Sequence, residues 1–236
     1  MTLILCSQNQ SVASRVMRGD VENARAAPTQ GCKRQPKEQV MSKVTMDIGV
    51  SVDGYAAGPN QSRENPLGEN GESLHRWMFE EPEANKAVID EIVSAGAYIM
   101  GRNMFGPDRG EWDPDWQGWW GPEPPYHAPV FVLAHREREP LVMEGGTTFT
   151  FVTDGIESAL EQARAAAGER DVSIAGGVSV VQQYLRAGHV DELRLHVAPL
   201  VLGRGERLLD DVGDLRLEQL GVTSTTLVTH IRYRVL

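Results

Sequence analysis

Residues 172–185 read Val-Ser-Ile-Ala-Gly-Gly-Val-Ser-Val-Val-Gln-Gln-Tyr-Leu. An apolar run meets two glycines and then a helical pattern. A helix that begins at a strand end leaves its first N–H groups unpaired and carries partial positive charge there. Gly176 and Gly177 lack a Cβ, so a ligand can approach their backbone closely. The chemistry on offer is a seat for phosphate or pyrophosphate. A tight strand-to-helix turn reads the same way, and the three-glycine spacing of a Rossmann fingerprint is missing. A second concentration lies at residues 106–125, which hold Trp112, Trp116, Trp119 and Trp120, four of the five tryptophans. Gly121-Pro122 and Pro124-Pro125 stiffen this segment. It reads as a lid stacking on a planar ring or, slightly better, as a hydrophobic plug or subunit contact.

These groups need elements to position them. Val44, Met46, Ile48, Val50 and Val52 alternate with Thr45, Asp47, Gly49 and Ser51, which predicts a strand. Residues 53–71 are rich in Gly and Pro and read as loop. Helices are expected over 72–79 and from Pro82 to near Gly96, followed by a short strand at 97–100. Further strands are expected at 130–134, around Phe149 and Phe151, at 172–175 and at 192–197. Asp154 with Glu157 resembles a capping box for a helix ending near Gly168, and a further helix runs over 179–187. Alternation from Leu227 to Val235 ends the chain as a strand. Strands separated by helices predict an α/β fold with a mixed, mostly parallel sheet and antiparallel late strands near the turns at Gly203 and Gly205.

Composition narrows the classes. The 236 residues allow one good core plus a tail. A formal charge of −10 argues against nucleic acid as the main partner. No apolar run approaches the roughly 18 residues of a membrane span. Cys6 and Cys32 are the only cysteines, so residues 33–236 contain no disulfide, thiolate metal site or cysteine nucleophile. That usage fits a reducing cytoplasm. Residues 1–40 are polar and aperiodic and read as a disordered extension, with residues 41–236 as the folded domain. Met41 stands as a candidate true start.

Three segments, Ser51-Val-Asp-Gly-Tyr-Ala-Ala-Gly58, Met100-Gly-Arg-Asn-Met-Phe105 and Ile174-Ala-Gly-Gly-Val-Ser-Val180, occur in this order. Gly188-His-Val-Asp-Glu-Leu193 and Pro199-Leu-Val-Leu-Gly-Arg-Gly205 follow. This ordered set resembles the dihydrofolate reductase-like family, specifically the reductase domain of bifunctional riboflavin-biosynthesis deaminase-reductases and its stand-alone relatives. The resemblance implies a dihydrofolate reductase-like fold over about residues 43–235, NADPH as hydride donor and a small heterocyclic substrate. It implies that Gly101, Arg102, Asn103 and Met104 border the cofactor phosphates, with Arg102 pairing to one of them. It places His135 and Arg136 near the adenosine ribose and 2′-phosphate, and Gly176, Gly177, Val178, Ser179 and Val180 at the pyrophosphate. Ala56 would pack near the nicotinamide. Ala175 departs from relatives that carry a third glycine there. On the substrate side, Asp53 is the candidate proton donor, and Tyr55, Glu72, His75 and Trp77 are candidate substrate contacts. Asp53-Gly54 equally suits an ordinary turn. The substrate would be pterin-, aminouracil- or flavin-precursor-like, as for 5-amino-6-(5-phosphoribosylamino)uracil reductase. No metal is expected, and the resemblance implies a homodimer. A non-catalytic NADPH-binding domain of the same fold is the alternative.

Overall fold

A computed structural model describes residues 42–106 and 110–236. The expectations for residues 1–40 lie outside the described residues. The alternating segment forms β1 (Val44–Ser51). β2 (Tyr55–Ala57) follows, then a 3-10 helix (Gly71–His75), α1 (Arg76–Glu80), α2 (Lys86–Ile92), β3 (Ala97–Gly101) and α3 (Arg102–Phe105). Next come β4 (Pro129–Leu133), β5 (Leu141–Val142), β6 (Thr148–Val152), α4 (Ile156–Ala167), β7 (Val172–Gly176) and α5 (Val178–Arg186). β8 (Glu192–Ala198), β9 (Glu206–Arg207), β10 (Leu217–Ser224) and β11 (Thr229–Val235) complete the described chain.

Nine strands form one sheet in the order β10-β11-β8-β1-β7-β3-β4-β6-β5. From β8 to β6 every pair is parallel. The strands β5, β11 and β10 add antiparallel edges. The chain builds outward through β3, β4 and β6, then returns through α4 to insert β7 between β1 and β3. It leaves again through α5 to place β8 on the far side of β1. Where the winding reverses in this way, loops at the carboxyl ends of the strands diverge and leave a crevice. The ends of β1, β3 and β7, which carry all three glycine-containing motifs, border that crevice.

One face of the sheet is apolar along its length. Met46, Ile48 and Val50 of β1 pack with Ala159, Leu160 and Ala163 of α4 and with Val180, Val181, Tyr184 and Leu185 of α5. The opposite face divides in two. Over β3, β4 and β6 it is aromatic: Tyr98, Phe105, Tyr126 and Phe149 are buried there, with Trp112, Trp116 and Trp120 packed against them. Over β1, β8 and β11 it is polar: Thr45, Glu192, Arg194, His196 and His230 are buried.

Several local expectations need correction. The helix at 72–79 is a 3-10 turn followed by α1, and the helix after Pro82 shortens to Lys86–Ile92. Asp154 does not cap α4. Gly155, at φ +91°, is the N-cap, and no side chain bonds there. Glu157 bonds His189 Nε2 at 2.7 Å instead. The short β2 and β9 pair antiparallel in a separate two-stranded ribbon that alternation alone could not reveal.

Candidate active site

At the crevice the two glycine segments meet. A Cβ on Gly101 would lie 2.8 Å from Val180 Cγ2 and 3.7 Å from Gly177 N. Glycine at the end of β3 therefore lets the first turn of α5 close onto the sheet. Gly176 sits at φ +125°, a backbone state that side chains disfavour, and an added Cβ would touch Met104 Sδ at 3.4 Å. The peptide between Gly176 and Gly177 is cis. Gly177 caps α5 without any side-chain hydrogen bond, and a Cβ there meets nothing within 4 Å. The start of this nine-residue helix is thus open at Gly177, where the N–H groups of the first turn have no acceptor within the helix. Val178 and Val180 are buried and contribute packing, while Ser179 is exposed. Ala175 packs against the aromatic cluster.

The cations expected beside this helix start are engaged by the tryptophan loop. Arg102 donates to the carbonyls of Gly110 (2.8 Å) and Glu111 (3.2 Å) and lies 3.8 Å from the Trp112 ring centroid. Arg136 pairs with Glu111, and its carbonyl accepts the Trp112 indole N–H at 3.2 Å. Arg138, absent from the sequence reading, donates to Trp116 O at 2.6 Å and lies over the rings of Phe105, Trp112 and Phe151. Burial lowers its pKa, opposed by Asp113. Trp120 stacks on Phe149 with 5.8 Å between centroids. The tryptophan segment is therefore a strap folded onto the ends of β3, β4 and β6. His135 and Asn103 are exposed beside it.

On the β1 side, Asp53 is a clamp. Its carboxylate accepts the N–H groups of Leu202 (3.1 Å) and Gly203 (2.7 Å), which ties the loop after β8 to the end of β1. A hydrogen bond from Ser51 leads in holding its carboxyl below the usual range; burial opposes it, and the N–H bonds from Gly203 and Leu202 add to the lowering. An ionised acceptor with both oxygens occupied is a poor proton donor, so the geometry gives Asp53 a positioning role. Tyr55 pairs with Arg207 in the ribbon, beneath the Arg207 guanidinium at 5.3 Å. Ala56 packs against the main core. Glu72 is exposed. Trp77 corrects the expected substrate contact: it is only 1 % exposed, and its ring packs on His196 and His230 at 5.3 and 4.9 Å. His75 is half-buried, and its Cε1 would lie 2.9 Å from a Cβ on Gly49. Gly49 therefore admits the imidazole over the carboxyl half of β1. Burial, then the charge of His196, push the His75 pKa down to about 4.

Residues 42–231 match the RibD C-terminal domain family. The chain belongs to that family. Among its relatives, the uncharacterized protein YyaP of Bacillus subtilis (strain 168) is 24% identical over 177 residues, covering 72% of this chain and 81% of that protein. In structure, the chain is similar to a Shewanella sp. PV-4 protein provisionally named for riboflavin biosynthesis, with a TM-score of 0.56 and 20% identity over 82% of this chain and 99% of that one. It is also similar to a pyrimidine reductase-like protein from Corynebacterium diphtheriae, with a TM-score of 0.52 and 16% identity over 86% of this chain and 96% of that one. Within the RibD C-terminal domain family, this chain's sheet, crevice and glycine-lined helix start form a riboflavin-pathway reductase-like fold. Among the described residues no group of three or more His, Cys, Asp or Glu is arranged to hold a metal, and no helix is long and apolar enough to cross a membrane.

Proposed function

We propose that this protein is an NADPH-dependent reductase of a small heterocycle of the pterin, aminouracil or flavin-precursor class. One observation carries the reading. Gly101 brings α5 against β3, while Gly177 leaves the helix start open, so that the reversal point of the sheet presents unpaired N–H groups to an anion. A dinucleotide pyrophosphate would sit at this open helix start, where a Cβ at Gly177 would project into the space that the ligand needs. Gly176, Gly177 and the N–H groups of Val178 and Ser179 would hold it. Met104 would line its flank, and Arg102, His135 and Arg136 would face the adenosine phosphates once the strap releases them. The bound reduced nicotinamide supplies the hydride, and the protein's part is to hold the acceptor carbon in line and exclude water. The reductase character of the family and of the pyrimidine reductase-like relative supports the reading.

Titration of the purified protein with NADPH and NADH tests the cofactor. The expected result is binding of NADPH in preference to NADH. Failure of both to bind refutes the proposal. The clamped Asp53 favours a second reading, an NADPH-binding domain without turnover. A screen of pterins, aminouracils and quinoid compounds, following loss of nicotinamide absorbance, separates the two.

A further inference from the structure

The polar face of the sheet carries a cavity of about 260 Å³. Its floor is set by strand register. Thr45 of β1 lies beside Ser173 of β7, and Asp47 lies beside Arg194 of β8. The pleat points all four away from the core under α4 and α5, because Met46, Ile174 and Leu193, one residue along each strand, face that core. Glu91 of α2 and Ser94 just beyond it form one wall, and Glu169 and Asp171, between α4 and β7, form another. The Gly96 N–H donates to the Asp171 carbonyl at 2.8 Å and joins the two walls. Thr45 and Ser173 are the second residues of two parallel strands, so the cavity opens at the amino ends of the sheet. The glycine crevice lies at the carboxyl ends.

The floor holds polar groups that lack partners. Thr45 is 2% exposed and Ser173 4%, yet among the described residues neither hydroxyl has a hydrogen-bond partner. Both line the cavity, which is where a partner can reach them. Burying such groups unpaired is costly. A hydroxyl accepts or donates, so the surrounding charge selects what it meets. Four carboxylates line the cavity, those of Asp47, Glu91, Glu169 and Asp171, against the guanidinium groups of Arg170 and Arg194. Arg194 is already committed. Its Nε bonds Glu192 at 2.7 Å, and its Nη1 lies 3.2 Å from Glu91 and 3.5 Å from Asp47. Behind the floor, Glu192 adds one negative charge, and its partners Lys43 and Arg232 add two positive ones. Carboxylates still outnumber cations, by five to four. An incoming anion meets this surplus, whereas an ammonium group brings three donors to hydroxyl and carboxylate acceptors. Among the described residues no group of three or more His, Cys, Asp or Glu is arranged to hold a metal ion, so the cation that fits is one that donates hydrogen bonds.

We propose that this cavity is a binding site for a short aliphatic diamine. One ammonium group sits on the floor, donating to the hydroxyls of Thr45 and Ser173 beside the Asp47 carboxylate. The other reaches the carboxylates of Glu169 and Asp171 at the rim. The alkyl chain between them spans the depth of the cavity. The site is separate from the glycine crevice and does not depend on the reductase reading.

Calorimetric titration of the full chain with putrescine, in the absence of any nicotinamide, tests the inference. The expected result is saturable binding of one putrescine per chain, with inorganic phosphate failing to bind in its place. Thr45→Val keeps the side-chain shape, and Ser173→Ala removes only a hydroxyl. Together they should weaken putrescine binding by about tenfold or more and leave NADPH titration unchanged. No saturable binding of putrescine overturns the proposal, as does phosphate binding in preference to it. Unchanged putrescine affinity in the folded double variant overturns it too. If the double variant does not fold, NMR of the wild-type protein decides. At saturation the putrescine methylenes should show through-space contacts to the Thr45 methyl group, and their absence overturns the assignment.

Discussion

Alanine at Gly177 should separate folding from ligand binding. The residue sits at φ −71°, ψ −170°, which any amino acid adopts, and the added methyl meets no atom within 4 Å. The expected stability change is within about 0.5 kcal/mol, as for an open surface position. Alanine at the neighbouring Gly176 is different. At φ +125° a side chain is strained, which costs about 1–3 kcal/mol. In a domain of this size each kcal/mol lowers Tm by about 2–4 °C. Ligand affinity should behave in the opposite way to stability. The Gly177 methyl stands at the open start of α5, where the proposed pyrophosphate accepts backbone N–H bonds. Forfeiting one charge-assisted bond of about 1.5–3 kcal/mol weakens binding by roughly tenfold or more. Thermal unfolding and fluorescence titration with NADPH on both variants measure the two effects. A folded Gly177→Ala protein with unchanged NADPH affinity would refute the assignment of this helix start to the pyrophosphate. A Gly177→Ala protein as unstable as Gly176→Ala would refute the steric reasoning.

Three other perturbations follow from the same geometry. Glu111→Gln removes the carboxylate paired with Arg136. NADPH should then bind a few-fold tighter, on the scale of about 0.5–1 kcal/mol for an exposed pair, with NADH unaffected, as parallel titrations will show. The acid side of the stability profile should fall in two stages. His230 titrates near 4 when folded and near 6.5 when unfolded, so the unfolded chain binds more protons between those values. Its contribution, up to about 3 kcal/mol, is complete above pH 6.5 and lost as pH falls to 4. Burial raises the Glu192 pKa, but hydrogen bonds from Arg194 and Arg232 outweigh it and hold the value at about 2, so its contribution is lost between about pH 5 and pH 2. Urea denaturation across pH should show both stages, with the upper one reduced but not abolished in His230→Gln, because the His75 contribution is lost over the same range. Trp112→Ala deletes the ring between Phe105, Phe151 and Arg102, and should lower stability by about 2 kcal/mol in thermal unfolding, less than a fully buried tryptophan would.

The parts of the fold visible in the sequence were those whose period is set by burial. β1 alternates because one face meets α4 and α5 while the other carries Thr45, Asp47, Gly49 and Ser51, and this pattern needs no tertiary knowledge. The strand–glycine–helix segment was legible for the same reason. Elements stabilised by distant contacts were not. β2 is three residues long and exists because it pairs with β9, far along the chain. Asp154 has the spacing of a cap, yet the chain enters α4 through Gly155, and Glu157 turns to His189. Residue type singled out Asp53 as a proton donor, but could not show the partners that make it a clamp. Its carboxylate meets two N–H groups that lie about 150 positions further on.

The same limit explains why the histidines of the polar face escaped attention. His196 and His230 stand in alternating strands, where each looks like an ordinary surface residue. Only the antiparallel register of β8 with β11, which pairs His196 with His230, makes them neighbours. Only the parallel register of β8 with β1 sets them beside Asp47 and Gly49. Burying such a chain is costly unless every donor meets an acceptor. A face that served packing alone would be better filled with apolar residues, as the opposite face of β1 is. Asn85, His230 and His196 are instead joined by hydrogen bonds of 2.9 and 2.8 Å, which fix the register of β11 on β8 where apolar packing would not.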